Sequence, residues 1–246
     1  MKELKKRPIV VLIFVLILGY AILIGSGKIA LLITQVFPEI FQASSYLKSI
    51  VTKLLFFIFS VSTMLLIPNM QLRDFGFRLP KKISYLKLIW QTTALTLGSF
   101  IVFYLFFNVL LRNIFGDSNG MGFPNDKTFL QRIVSVWICS SICEEILNRG
   151  LLQSLLNTFK KYKFCKLSYS IWISGIIFGL MHFSVLKICS SIFFVLFIVF
   201  GATVVGILAA YYREKSESLY PAIAVHILAN ISGSLPMLFF TILSKF

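Results

Sequence analysis

Long apolar runs separated by short basic clusters set the pattern of this chain. The runs cover about residues 9–24, 50–68, 88–111, 128–159, 167–186, 188–212 and 220–243. Most approach or exceed the roughly 20 residues that a helix needs to cross hydrocarbon. The pattern predicts an all-α, polytopic transmembrane helix bundle of about seven spans. The first run follows Lys2-Glu3-Leu4-Lys5-Lys6-Arg7-Pro8, as a leader peptide would. It is too long for a leader and lacks a clean A-x-A site, so a retained first span is expected. Pro38 and Glu39 mark residues 28–48 as a loop or short interfacial helix, and residues 113–127 are a Gly/Asn/Asp/Pro-rich loop.

The basic clusters orient the spans. With seven spans, the N-terminus, residues 69–87, residues 160–166 and residues 213–218 all fall on one side. The positive-inside rule then predicts a cytoplasmic N-terminus and a C-terminus outside. The segment 69–87 places Arg73, Arg78, Lys81, Lys82 and Lys87 around Phe75-Gly76-Phe77 and reads as interfacial or as a plain basic loop. Lys53, near one end of the second run, is expected to snorkel to the interface.

Composition supports this picture: 58% of the 246 residues are hydrophobic. The net charge of +15 resides mainly in inter-span loops rather than in one stripe interleaved with aromatics. That distribution argues for anionic lipid as a partner and against nucleic acid. The four cysteines, Cys139, Cys143, Cys165 and Cys189, show no CxxC spacing, so neither a disulfide framework nor a zinc knuckle is expected.

Within the fourth run lies Cys143-Glu144-Glu145-Ile146-Leu147-Asn148-Arg149-Gly150, two adjacent carboxylates and an arginine in a chain with nine acidic residues. An ionisable group inside a span is a functional-site hypothesis with a partner to be found. The two histidines of the chain, His182 and His226, both lie in later spans. Glu145 and Arg149 stand four apart and pair along a helix, which leaves Glu144, about 100° round, free to act. His226 and Asn230 share one face at the same spacing, as do Phe178 and His182, where the ring can wall the imidazole from lipid.

Such a set suits hydrolysis: a carboxylate bonded to histidine draws a proton from water, and a His–Asn pair meets the oxyanion. A zinc ion held by Glu144, His182 and His226 is the rival account, although no HExxH is present. A Cys143 thiol is disfavoured by its neighbouring carboxylates. A non-catalytic membrane partner that uses the polar cluster for packing or binding is a further alternative. A coupled transporter lacks the expected inverted repeat. His226 sits nearer the start of its span than Glu144 and His182 do in theirs, so one site requires span seven to begin deeper or span four to project.

These motifs resemble those of the CPBP family of intramembrane proteases (CAAX protease and bacteriocin-processing, also called Abi), related to the type II CAAX prenyl endopeptidases. The family pattern EExxxR, FxxxH and HxxxN/D matches Glu144-Glu145-xxx-Arg149, Phe178-xxx-His182 and His226-xxx-Asn230 in order. Leu72-Arg73-Asp74-Phe75-Gly76-Phe77-Arg78-Leu79-Pro80 is similar to an upstream GFR-x-P segment of bacterial members, and Asn148 departs from the aromatic that many members carry.

The resemblance implies an N-terminal part, residues 1–126, and a protease core, residues 127–246, formed by the last four spans. It implies Glu144 with His182 as water activators, His226 and Asn230 as oxyanion stabilisers, and Glu145, Arg149 and Phe178 as supporting residues. The implied reaction is cleavage of a membrane-embedded or lipid-linked peptide or protein, of bacteriocin, signal-peptide or CAAX type, with no cofactor. A regulator or immunity protein that binds a peptide or membrane partner with the same cluster is the alternative. The Lys-, Ile- and Phe-rich, acid-poor composition fits an AT-rich bacterial genome, a bacterial plasma membrane is the expected location, and the sequence leaves oligomeric state open.

Overall fold

A computed structural model describes residues 7–42, 45–81, 83–117, 128–187 and 189–243. Residues 2–6 of the basic N-terminus and the expected domain boundary at 126/127 lie outside the described residues. Among the described residues, seven long helices form the bundle: α1 (Pro8–Val36), α2 (Ser45–Leu66), α3 (Tyr85–Phe115), α4 (residues 129–155), α5 (Tyr169–Met181), α6 (Ile192–Ser216) and α7 (Leu219–Leu243). The expected all-α polytopic architecture is the one found.

Local chemistry explains where these helices begin. Pro8 opens α1 at a position whose N–H would be unpaired in any case. Thr128 and Gln131 form a reciprocal capping box at the start of α4. The Ser168 and Ser191 hydroxyls accept from the backbone N–H of Ile171 and Phe194 at the starts of α5 and α6.

Two expectations change. The first helix continues past Lys28 to Val36 and is followed by one turn, Pro38–Gln42, so most of residues 28–48 is helical. The basic loop 160–166 contains the first strand of a small antiparallel hairpin, Lys163–Phe164 against Leu167–Ser168. Cys165 and Lys166 turn it with φ of 48° and 65°, the left-handed pair that suits a two-residue hairpin.

By length and apolar character, five described helices can cross a membrane: α1, Tyr46–Leu66 of α2, α3, α5 with its 3-10 extension to Leu186, and α6. α4 falls outside this set and carries Arg132, Glu144, Glu145 and Arg149. In α7 the shorter apolar stretch is Leu219–Leu235. Large apolar side chains face outward, among them Ile17, Leu66 and Trp90, as expected of an integral membrane protein.

Both halves of the chain share one core. Val15 of α1, Phe56 and Met64 of α2, and Phe75 pack with Leu147, Leu151 and Leu156 around α4. Side-chain-free surface lets α5 and α6 touch: a Cβ on Gly179 would stand 1.9 Å from Thr203 Oγ1, and one on Gly175 2.4 Å from Ile207. This small-xxx-small contact brings two backbones together where lipid offers no hydrophobic drive.

The segment 71–81 is more than an interfacial loop. Phe75 is fully buried, and Gly76 (φ +97°) turns the chain against the Arg213 side chain. The Leu219 N–H donates to Gly76 O, the Ser218 hydroxyl to Arg78 O, and the Lys81 N–H to Ser216 O. Arg78 and Lys81 both pair with Glu217. Two of the basic segments expected on one face of the membrane are thereby joined at one end of the bundle.

Candidate active site

α4 changes character where the acids stand. π-helical stretches, Ile133–Ser140 and Ile146–Leu152, flank the α-helical Ser141–Glu145, and such wide turns recur at functional sites. Residues 143–153 are all buried. The pairing expected of Glu145 is present: Arg149 Nη1 donates to Glu145 Oε1 at 2.8 Å, and both side chains are buried. Arg149 Nη2 donates to the Gly206 carbonyl of α6 at 2.7 Å, and its guanidinium lies 4.4 Å from the centre of the Phe178 ring. A Cβ at residue 206 would meet Arg149 Nη2 at 3.0 Å, so glycine opens this approach.

His226 joins the two carboxylates. Its Nδ1 lies 2.9 Å from Glu145 Oε1, and its Nε2 lies 3.9 Å from Glu144 Oε2. A hydrogen bond to the carboxylate requires Nδ1 to be the donor, which turns Nε2 toward Glu144. The expected mismatch in depth is therefore absent: span seven brings His226 level with the acids.

Glu144 is held more firmly than expected. The Ser140 hydroxyl donates to its Oε1 at 2.5 Å, and Lys53 Nζ stands 2.5 Å from the same oxygen. Lys53, expected to snorkel, turns inward from α2 instead, over the ring of Phe56. With Oε1 doubly engaged, Oε2 is the oxygen that faces His226. Asn148, the departure from the family pattern, donates from Nδ2 to the Glu144 carbonyl at 2.9 Å and so braces the same turn.

His182 and Asn230 take positions that differ in part from expectation. His182 stands within electrostatic reach of Glu144, but its Nδ1 bonds to the Phe178 carbonyl at 2.9 Å rather than to the carboxylate. That bond makes Nδ1 the donor and leaves Nε2 as an acceptor. Phe178 stands edge-on to both imidazoles, with ring centres 4.9 Å from His182 and 5.2 Å from His226. The Asn230 amide donates to the Val136 carbonyl at 3.2 Å and to the Ser141 hydroxyl at 2.9 Å, both on α4.

Among the described residues, no group of three or more His, Cys, Asp or Glu side chains is arranged to hold a metal ion. In the set Glu144, His182 and His226, Glu144 Oε1 already bears an ammonium, whereas His182 keeps its Nε2 open.

Lys53, Ser140 and Gly206 were not among the expected site residues. Lys53 had a usable signal, a lysine within an apolar run. Ser140 lies one turn before Glu144, and the Gly206 carbonyl has no side-chain signature at all.

Neither the curated proteins nor the solved structures give a significant match to this chain. Residues 126–232 match the family model described as type II CAAX prenyl endopeptidase Rce1-like. That stretch holds both carboxylates, Arg149, Phe178, both histidines and Asn230, and over it the chain is similar to the CAAX-type membrane proteases.

Proposed function

We propose that this protein is an intramembrane endopeptidase that hydrolyses a peptide bond of a membrane-embedded or lipid-linked peptide, with water activated by Glu144. The observation that carries the reading is the turning of His226 Nε2 toward the one oxygen of Glu144 left open by Lys53 and Ser140. In this scheme Glu144 Oε2 takes a proton from water, and His182 Nε2 orients that water as an acceptor. The hydroxide adds to the peptide carbonyl, and the proton passes to the leaving amine as the C–N bond breaks. His226 and Asn230 border the oxyanion, with Asn230 releasing one of its bonds to α4. Arg149 and Phe178 hold Glu145 and the imidazoles in place, and no cofactor is required.

The family description makes a prenylated peptide ending in a CAAX sequence the first substrate to try. Protein reconstituted in liposomes is expected to cleave it, whereas Glu144→Ala and His182→Ala insert normally and do not. Unchanged cleavage in both variants overturns the reading. If the wild type leaves this peptide intact, membrane-peptide proteomics of cells with wild-type and Glu144→Ala protein identifies the substrate, bacteriocin- and signal-type peptides included.

A second reading rests on the Lys53 ammonium already seated on Glu144: a non-catalytic regulator or immunity protein that binds a membrane partner through the cluster. It predicts that the same variants lose complex formation or expression rather than turnover.

The proposed setting is a bacterial plasma membrane, with the N-terminus cytoplasmic and the C-terminus outside. Anionic lipid is the proposed partner of the basic loops, and residues 127–246 are the proposed protease core.

A further inference from the structure

Away from the acid pair, between α1, the end of α2, the segment 71–81 and the ends of α4 and α6, lies a cavity of about 700 Å³. Its size is that of a small-molecule site. One wall is apolar and open to the lipid side: Phe14 is 48% exposed and Leu66 82%. The opposite wall is charged. Arg78 and Glu217 pair with each other there, Lys81 adding a second cation to the same carboxylate.

The other four charged groups of the lining, Arg213, Lys160, Asp74 and Glu214, have no ion-pair partner among the described residues. Arg213 is only 7% exposed, yet its Nη2 bonds to neutral acceptors, the Ser154 hydroxyl at 3.2 Å and the Asp74 carbonyl at 3.4 Å. Its Nε has no partner. The Asp74 carboxylate accepts from the Gln71 N–H, and Glu214 accepts from the Ser168 hydroxyl. Burial pushes the Lys160 ammonium below its ordinary pKa, against the pull of Glu214. Of the four only Arg213 is buried, Lys160 and Glu214 being half-buried and Asp74 exposed, and a buried charge without an ionic partner is costly unless a ligand supplies one.

Two cations and two carboxylates select for a dipolar guest. A bare phosphate would gain from Arg213 and Lys160 but meet Asp74 and Glu214, whereas a zwitterion satisfies both pairs. The lipid-facing wall gives that guest its tail. We propose that the cavity binds the head group of an ethanolamine phospholipid, with the phosphate on Arg213 and Lys160, the ammonium on Asp74 and Glu214, and acyl chains leaving past Phe14 and Leu66. A primary ammonium donates hydrogen bonds to the two carboxylates that a trimethylated one cannot. The proposal is independent of the protease reading.

Native mass spectrometry of the full-length protein from micelles with equal dioleoyl phosphatidylethanolamine, phosphatidylcholine and phosphatidylglycerol tests it. The ethanolamine lipid is expected to be retained about threefold over each of the others, the worth of one partly exposed ion pair. Lys160→Gln and Glu214→Gln, both on partly exposed side chains, are expected to bring the three lipids to parity. Equal retention in the wild type, or an unchanged preference in both variants, overturns the proposal. A competition arm uses soluble phosphoethanolamine: weak displacement supports a lipid ligand, and displacement as effective as the lipid's own overturns it in favour of a soluble one.

Discussion

Lys53 Nζ stands 2.5 Å from Glu144 Oε1, so a lysine from the second helix and a glutamate from the fourth form an ion pair inside the bundle. The contact sets an ammonium against one carboxylate oxygen and presents the other to His226. If Glu144 is the base, Lys53→Met is expected to lower turnover about 10–100-fold, the scale of one lost hydrogen bond to a charged group. Lys53→Arg is expected to restore part of it, as measured by peptide cleavage in liposomes. Turnover unaffected by Lys53→Met would show that the pair is packing alone.

Gly179 and Gly201 make a matched comparison in the α5–α6 pair. A methyl group on Gly179 meets Thr203 Oγ1 and the Val199 carbonyl, whereas one on Gly201 meets nothing within 4 Å. Gly179→Ala is expected to destabilise by about 1–3 kcal/mol through overpacking. Gly201→Ala is expected to be neutral or slightly stabilising. Thermal unfolding in detergent measures both, and equal shifts would contradict the tight helix contact.

Arg149→Met leaves Glu145 buried beside His226 without its guanidinium. Breaking one side of a buried ion pair costs about 3–5 kcal/mol. The expected outcome is a sharp loss of folded protein in the membrane, recovered in part when Glu145→Gln is added. A double-mutant cycle on expression and unfolding checks the coupling.

Glu217 ties the segment 71–81 to the turn between α6 and α7. The hydrogen bond from Lys81, with the charge of Arg78, holds its carboxyl below the ordinary range. A carboxyl lowered in the folded state stabilises fully above its unfolded pKa and loses that contribution as pH falls through the lowered value. Proteolysis within 71–81 is therefore expected to rise on acidification below about pH 4. Glu217→Gln should remove the pH dependence of that cleavage.

A strong chelator is expected to leave cleavage unchanged, because water activation is assigned to Glu144. Loss of activity with EDTA, restored by zinc, would transfer the chemistry to a metal.

Much of this arrangement was legible in residue spacing. Glu145 with Arg149, and Phe178 with His182, are neighbours one helical turn apart, and their contacts follow from that alone. The hydrophobic runs marked the helices because lipid requires apolar length. Hidden were the contacts between helices far apart in the chain. Nothing in the local pattern of α2 says that Lys53 turns inward, and only the packing decides whether it meets lipid or a carboxylate. Asn230 was legible as a partner of His226 by spacing, yet its amide is spent on Val136 and Ser141 because α7 lies against α4 there. The upstream Phe75-Gly76-Phe77 stretch looked superficial because its basic neighbours masked a phenylalanine that completes the core.

The Gly206 carbonyl belongs to a helix that supplies no candidate catalytic group, yet through Arg149 it fixes where Glu145 stands. α6 has 25 residues, long and apolar enough to cross a bilayer, and the tilt of such a helix answers to the thickness of the surrounding lipid. A bilayer that re-tilts α6 is therefore expected to shift Glu145 without any ligand. Membrane thickness becomes an input to the site, and acyl-chain length is the variable that reads it out.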